Sequence, residues 1–238
     1  MHKAIVIGAT SGIGKGLAKI LAHNNYVVGI TGRRTELLNE LKNEISNAYF
    51  IKSFDITDAK STCQKLEELT TELGGLDLLI LSSGTGDLNE TLDLDIEHRT
   101  IATNVVGFTN ILIWAFNFFK RQNYGHLVAI SSIAGLRGNR HAPAYNATKA
   151  YQINYLEGLR QKANRLNSPI FITDIRPGFV NTDMAKSEGK FWVATVDKAV
   201  LQIFEAIKQQ KNIVYITKRW RLIAIILRMI PSKIYDKA

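Results

Sequence analysis

The sequence predicts an α/β fold, a single domain around a seven-stranded parallel sheet, and three observations predict it. Short runs rich in β-branched residues alternate with longer runs of helical apolar spacing, the pattern of strand-helix-strand units. Of the 238 residues, 46% are hydrophobic, enough to bury a large core. No Pro-, Gly- or Ser-rich stretch divides the chain, whose four prolines are Pro143, Pro169, Pro177 and Pro231.

The first strand, Lys3–Ile7, runs straight into a glycine-rich turn, leaving no room for the charged and apolar regions of a secretory signal. A helix follows at Ile13–Asn24. The second strand spans Tyr26–Thr31, and Thr35 is an N-cap candidate for a helix at Glu36–Ser46. A third strand, Ala48–Ser53, precedes a helix at Ala59–Leu73, with Asp58 as its cap. The fourth strand is Leu76–Ser82 and leads to a long helix, Ile96–Arg121. The fifth, His126–Ser132, leads to a helix at Ala144–Leu166. The sixth, Ile170–Ile175, leads to one at Thr195–Gln210, and Asn212–Ile216 is the seventh. Right-handed crossovers make this a doubly wound Rossmann-type sheet over residues 1–217, followed by a basic, apolar tail at 218–238 that contains a helix.

The turn after the first strand reads Gly8-Ala9-Thr10-Ser11-Gly12-Ile13-Gly14. Backbone N–H groups at a helix N-terminus can receive a pyrophosphate, and positions without side chains let it approach closely. Glycine spacing alone is weak, since any strand-to-helix turn can need a positive φ, but here a strand precedes the turn and a helix follows it. At the end of the second strand an acidic residue would hold the ribose 2′-hydroxyl of NAD, and an arginine accommodates a 2′-phosphate. The chain has Thr31-Gly32-Arg33-Arg34, which favours NADP(H) over NAD(H). One of the two arginines, Arg34 in particular, can equally cap the loop or face solvent.

Tyr145 and Lys149 lie four residues apart, neighbours on one helix face. A phenol near pKa ~10 is a poor base at neutral pH, and an adjacent cation favours its phenolate. Taken alone, the pair also reads as a half-buried tyrosine beside a lysine with a solvated head. The fifth strand ends in Ser131-Ser132, and the carboxyl ends of parallel strands are where ligands bind in this architecture; a hydroxyl there can polarise a carbonyl.

Together, Gly8-x-x-x-Gly12-x-Gly14, Asp55, Asn104, Ser132, Tyr145, Lys149 and Pro177-Gly178 resemble, in order and spacing, the short-chain dehydrogenase/reductase family, from Lys3 to about Ile216. The resemblance implies that Tyr145 is the general acid in reduction and base in oxidation. It implies that Lys149 holds the nicotinamide ribose and lowers the Tyr145 pKa, and that Ser132 bonds the substrate oxygen. Asn104, on the long helix, would anchor a water linking Lys149 to solvent, although taken alone it also reads as a polar residue that distorts the helix. Asp55 would contact adenine with Ile56 beside it, although Asp55 also reads as a capping carboxylate. Gly84 would allow close approach of the cofactor, Val180 would meet the nicotinamide amide, and Thr182 the phosphates. Two departures stand out: Leu81-Ser82-Ser83-Gly84 where members commonly carry Asn-Asn-Ala-Gly, and Ile7 where a threonine often precedes the first glycine.

The same resemblance places a substrate-covering segment at about Met184–Ala194. Phe191, Trp192 and Val193 make it apolar and Lys186 and Lys190 flank it, so it reads as a lid for a hydrophobic substrate or as core or subunit packing. In the tail, Lys218, Arg219, Arg221, Arg228, Lys233 and Lys237 face Asp236 alone, a net +5 of the chain's +9. Leu222–Leu227 is too short to span a bilayer, which needs roughly 20 apolar residues. A basic helix carrying Trp220 and bulky aliphatics instead has the composition of one lying in a membrane interface through 218–231, or of one packed on its own domain or across a dimer. Charge concentrated in a short tail argues against nucleic acid, which calls for an extended basic face.

Cys63 is the single cysteine, so no intramolecular disulfide forms and a reducing compartment fits. His2, His23, His98, His126 and His141 show no spacing that suggests a metal site, and none is expected; His141 could line the site entrance. The reading is an oxidoreductase interconverting a carbonyl and an alcohol on a hydrophobic small molecule. Its location would be cytoplasmic or peripheral on a membrane, and the resemblance implies a homo-oligomer. The alternative is a non-catalytic nucleotide-sensing or membrane-surface scaffold on the same fold.

Overall fold

The computed structural model describes residues 1–44, 49–182 and 191–236. Its sheet is seven-stranded and parallel throughout, in the order β3-β2-β1-β4-β5-β6-β7. The strands are β1 (His2–Ile7), β2 (Tyr26–Gly32), β3 (Tyr49–Ser53), β4 (Leu78–Leu81), β5 (Gly125–Ile130), β6 (Ile170–Pro177) and β7 (Ile213–Ile216). The order reverses between β1 and β4. In such sheets the crevice beyond the carboxyl ends at that reversal is where ligands bind.

Helices cover both faces. On one lie α1 (Gly12–His23), α2 (Thr35–Glu44) and α7 (Val196–Lys208), closing on Ala4, Val6, Val28, Ile30, Leu78, Ile80 and Val128. On the other, α3 (Ala59–Leu73), α5 (Phe108–Gln122) and α6 (Pro143–Asn164) close on Ile5, Ile7, Leu79, Leu81, Leu127 and Ala129. Alternate residues of one strand thus enter opposite cores, which is why these strands are apolar throughout instead of alternating with polar residues.

Several expected bounds move. Thr35 is the first residue of α2 and not its cap, whereas Asp58 does cap α3, accepting from Ser61 N at 3.0 Å. The expected α2 end at Ile45-Ser46, and Ala48 at the start of β3, lie outside the described residues. β4 is shorter than Leu76–Ser82, and β5 stops at Ile130, so Ser131 and Ser132 lie beyond it. The long helix is three consecutive pieces: α4 (Leu94–Ile101), a π-helical segment (Ala102–Gly107) and α5. This 29-residue run is, among the described residues, the one helix long and apolar enough to cross a membrane. Its buried side, including Phe108, Ile111, Leu112, Ala115 and Phe119, packs on the sheet.

The tail folds onto the same domain as α8 (Trp220–Met229) and α9 (Ser232–Tyr235). A side chain added at Gly178 would meet the Trp220 ring at 2.1 Å, so the absence of one lets the indole lie flat on the end of β6. Arg137 donates to Ile230 O at 3.0 Å and lies 4.2 Å from the Tyr235 ring, while Tyr235 donates to Gly138 O at 2.7 Å. A guanidinium at the carbonyl end of a helix opposes the helix dipole, so Arg137 clamps α8 in place.

One buried ion pair lies within β6 beneath the site, and a serine just past β5 is bonded to it. Arg176 Nε donates to Asp174 at 2.6 Å with both side chains almost fully buried, and Ser131 donates to the same carboxylate. Breaking a buried pair from one side leaves the other charge uncompensated. We therefore expect Asp174→Ala to lower the unfolding free energy by about 3–5 kcal/mol in urea denaturation. A loss below about 1 kcal/mol would mean that Arg176 finds full compensation elsewhere.

Candidate active site

At the β1/β4 reversal the chain turns twice in close quarters. Gly8 (φ +86°) and Gly12 (φ +53°) take a backbone conformation that side chains disfavour. A Cβ at Gly14 would stand 2.0 Å from Gly8 O, so α1 can enter the turn only with glycine there. Ser83 packs against Gly8 and Ser82 against Gly14, so the serine pair that departs from the family pattern forms the back of the turn. Thr182 touches Gly12 from the other side.

The turn opens on a cavity of about 820 Å³. Gly8, Thr10, Ser11, Gly12, Ile13, Arg33, Arg34, Asp55 and Ile56 line one part of it; Gly84, Ser132, Tyr145, Lys149, Pro177, Gly178, Val180 and Thr182 line the rest. Gly14 and Asn104 stand behind the wall. Arg34 reaches across to Thr10 Oγ1 at 2.7 Å and Ser11 Oγ at 3.1 Å. Arg33 lies 3.5 Å from Asp55 and is largely exposed. Burial pushes the Asp55 carboxyl up, but hydrogen bonds from Thr57 and the charge of Arg33 outweigh it and hold the group below its ordinary value.

At the far end the catalytic candidates converge. Past β5, Ser132 caps a 3₁₀ turn (Ile133–Leu136) by accepting from Ala134 N at 3.1 Å. Asn146 holds that turn to α6, donating to Ala134 O and Arg137 O, each at 2.8 Å. Ser132 Oγ lies 3.5 Å from Pro177 O, and its hydroxyl is near enough to the Tyr145 phenol to favour the phenolate. Burial pushes the Tyr145 phenol up and the neighbouring Ser132 hydroxyl only partly opposes this. The expected depression by Lys149 is not what this geometry gives. Lys149 Nζ lies 5.8 Å from the Tyr145 ring centroid and donates instead to Ile130 O at 3.0 Å and Gln152 Oε1 at 2.9 Å.

Gln152 is the residue that sequence reading missed. Fully buried, it bridges Lys149 to the Asn104 backbone carbonyl, donating to it at 2.9 Å, where the resemblance implied a water. Asn104 lies in the π-helical segment, whose wider turn accompanies functional sites. Its side chain accepts from Thr85 N at 2.9 Å and donates to Thr85 O at 2.7 Å, fixing the strand-end loop beside Gly84. The signal for Gln152 was available: an amide three residues after Lys149 on an inward face.

On the substrate side, Phe179, Phe191 and Trp220 pack together, with Phe179 and Phe191 centroids 5.4 and 5.1 Å from Trp220. Ile223, Leu227 and Tyr235 of the tail extend this wall. Residues 184–190 of the expected lid, Lys186 and Lys190 among them, lie outside the described residues. His141 pairs with Glu90 at 2.9 Å and does not line the cavity.

Residues 2–191 match the family model described as short chain dehydrogenase. The chain belongs to this family. It is 31% identical to an uncharacterized oxidoreductase of Myxococcus xanthus, over 99% of this chain and 95% of that one. It is 30% identical to a probable NADP-dependent dehydrogenase of Haemophilus influenzae, over 74% of this chain and 70% of that one. A short-chain dehydrogenase/reductase from Burkholderia phymatum, solved with NAD, shares the fold at a TM-score of 0.84 and 16% identity, covering 94% of this chain and 91% of that one. Family membership makes the chain an oxidoreductase on small molecules, with the doubly wound sheet set out above.

Burial sets the charge state of this short-chain dehydrogenase's lysine. Loss of hydration pulls Lys149 down to about 8, with the Asp174 charge opposing. Between that value and the ordinary lysine value the unfolded chain binds the extra proton, so this group makes stability rise with pH. The unfolding free energy of wild type relative to Lys149→Met should increase by about 1–2 kcal/mol from about pH 7.5 to about pH 9.5. A flat difference would place the ammonium in water.

Proposed function

We propose that the chain is an NADP(H)-dependent oxidoreductase interconverting a carbonyl and an alcohol on a hydrophobic substrate. The observation that supports this most is continuity: one cavity runs from the glycine turn and two arginines to Ser132, Tyr145 and Lys149. A dinucleotide fits the residues present. The Gly8–Gly14 turn offers backbone to a pyrophosphate, and Arg33 and Arg34 offer guanidinium groups to a 2′-phosphate, with no acidic residue at the end of β2 to favour a free ribose. The Haemophilus relative's name points to NADP. The Burkholderia structure holds NAD, so the preference rests chiefly on the arginines.

What the cofactor supplies when bound is hydride, given or taken. The chain's own residues handle the proton and the oxygen. With its pKa pushed up, Tyr145 keeps its proton at neutral pH and is a donor to a developing alkoxide, the role of an acid in reduction. Ser132, close enough to Tyr145 to affect its phenol, offers its hydroxyl to the same oxygen. Lys149 is charged at neutral pH, and turning from Gln152 toward a bound ribose would bring that charge nearer the phenolate. Asn104 acts behind them, holding Thr85 and, through its carbonyl, Gln152. The aromatic and aliphatic wall suits an apolar substrate body. Ile101, Val106 and Ile113, exposed along the long helix, are where a second copy would bury apolar surface.

Following nicotinamide fluorescence, NADPH should bind more tightly than NADH. Arg33→Ser should weaken NADPH by about 10- to 100-fold while leaving NADH nearly unchanged. Equal loss of both would show that the 2′-phosphate is read elsewhere. Tyr145→Phe should abolish turnover across a panel of aldehydes and ketones while NADPH still binds. Binding of neither nucleotide to wild type would overturn the reading.

A further inference from the structure

α8 is apolar on two opposite sides. Trp220, Ile223, Ala224 and Leu227, spaced i, i+3, i+4, i+7, form an inner stripe, and of these Trp220, Ile223 and Leu227 line the cavity. Leu222, Ile225, Ile226 and Met229 repeat the same spacing two residues on, about half a turn round the helix, and are 62%, 48%, 53% and 75% exposed. Arg221 and Arg228, seven residues apart and both exposed, run along the flank between the stripes. Lys218 and Arg219 precede the helix and Lys233 follows it, all exposed, with Ile234 bare beside them at 63%. Asp236 is the one acidic residue from 218 to 236.

We infer that this outer face seats on an anionic lipid bilayer, with the aliphatic stripe in the headgroup and acyl boundary and the five cations on lipid phosphates. The charge chooses the occupant. A second copy of this chain would bring the same cations face to face, and like charges across a contact oppose it. A bilayer with anionic headgroups meets both features together: buried aliphatic area for the stripe and counter-charge for every flanking Lys and Arg. Phe191, Trp192 and Val193, each about half exposed, lie beside the start of α8, with Trp192 6.4 Å from Trp220 and 5.7 Å from the Arg219 guanidinium. Aromatic and basic side chains side by side suit the headgroup layer. Because the inner stripe of the same helix walls the cavity, a seated α8 puts that wall about one helix diameter, roughly 10 Å, from the lipid.

The seating does not depend on hydride transfer, so the two are tested separately. Purified full-length protein is sedimented with vesicles of phosphatidylglycerol and phosphatidylcholine in equal parts, and with phosphatidylcholine alone, while NADPH affinity and oligomeric size are followed on the same samples. Wild type should partition onto the anionic vesicles, less onto the neutral ones, and less at about 0.5 M salt. Leu222→Glu/Ile226→Glu changes two exposed positions that do not line the cavity. It should reduce partitioning by about tenfold or more, with NADPH affinity and size unchanged. Wild type that stays in the supernatant with anionic vesicles, or a double variant that partitions as well as wild type, overturns the inference. So does a double variant whose only change is a smaller oligomer, since the face would then be covered by a second copy.

Discussion

Lys149 carries a positive charge where almost no water reaches it, and a charge in that position persists only if its donors are met and an opposite charge stands near. Much of the surrounding structure answers that requirement. Ile130, the last residue of β5, turns its carbonyl to the ammonium, and Gln152 supplies a second acceptor. Gln152 is itself pinned through its other end to the Asn104 carbonyl, and Asn104 in turn clamps the loop at Thr85. The nearest opposite charge with a felt effect, Asp174, lies under the sheet end with its own partner, Arg176. A helix, a π-helical bulge, the end of β5 and a loop are thus linked in one network around the ammonium group. The same burial pushes the Tyr145 phenol up, so desolvation moves the two neighbours in opposite directions, the ammonium down and the phenol up.

How much of this could be read in the sequence depends on the range of the interaction. Strand runs such as Lys3–Ile7 and helix runs such as Ala59–Leu73 were legible because both faces of the sheet are buried, which writes continuous apolar runs beside periodic ones. The glycine turn was legible because Gly8, Gly12 and Gly14 are forced by local backbone geometry. Tyr145 and Lys149 share a helix face, and four-residue spacing shows that directly. The break in the long helix at Ala102–Gly107 was legible only as a polar Asn104 that can distort a helix. A π-helical segment has no composition of its own and exists here because Asn104 bonds a loop 19 residues earlier and Gly107 lets the helix lie on Ile56.

The site shows the same division. Ser132, expected at the end of a strand, sits beyond it as the cap of a 3₁₀ turn, and what fixes that cap is Asn146 on a different helix. Gln152, three residues on from Lys149, shares its helix face, but a lone glutamine there is ordinarily solvated, and the packing of α6 against the π-helical segment is what takes it out of water. The Tyr145 shift turns on a related point. Four-residue spacing says that Lys149 can reach the phenol, but a flexible ammonium goes to the best acceptors in range, and those belong to Ile130 and Gln152.

The tail shows why composition alone leaves two answers standing. Apolar residues that nearly encircle a helix ordinarily mean that the helix is buried all round. In α8 they divide into two stripes two residues apart in phase, and the molecule covers only one. Trp220 could not lie where it does with any side chain at position 178, and Arg137 and Tyr235 close the other end, so the inner stripe is specified by contacts as definite as those of the core. Four aliphatic residues left bare in a row, on a helix held that firmly, are not a frayed terminus. A surface kept apolar beside a line of arginines costs solubility in water, and its chemistry is satisfied only by a partner that offers hydrocarbon and negative charge at once.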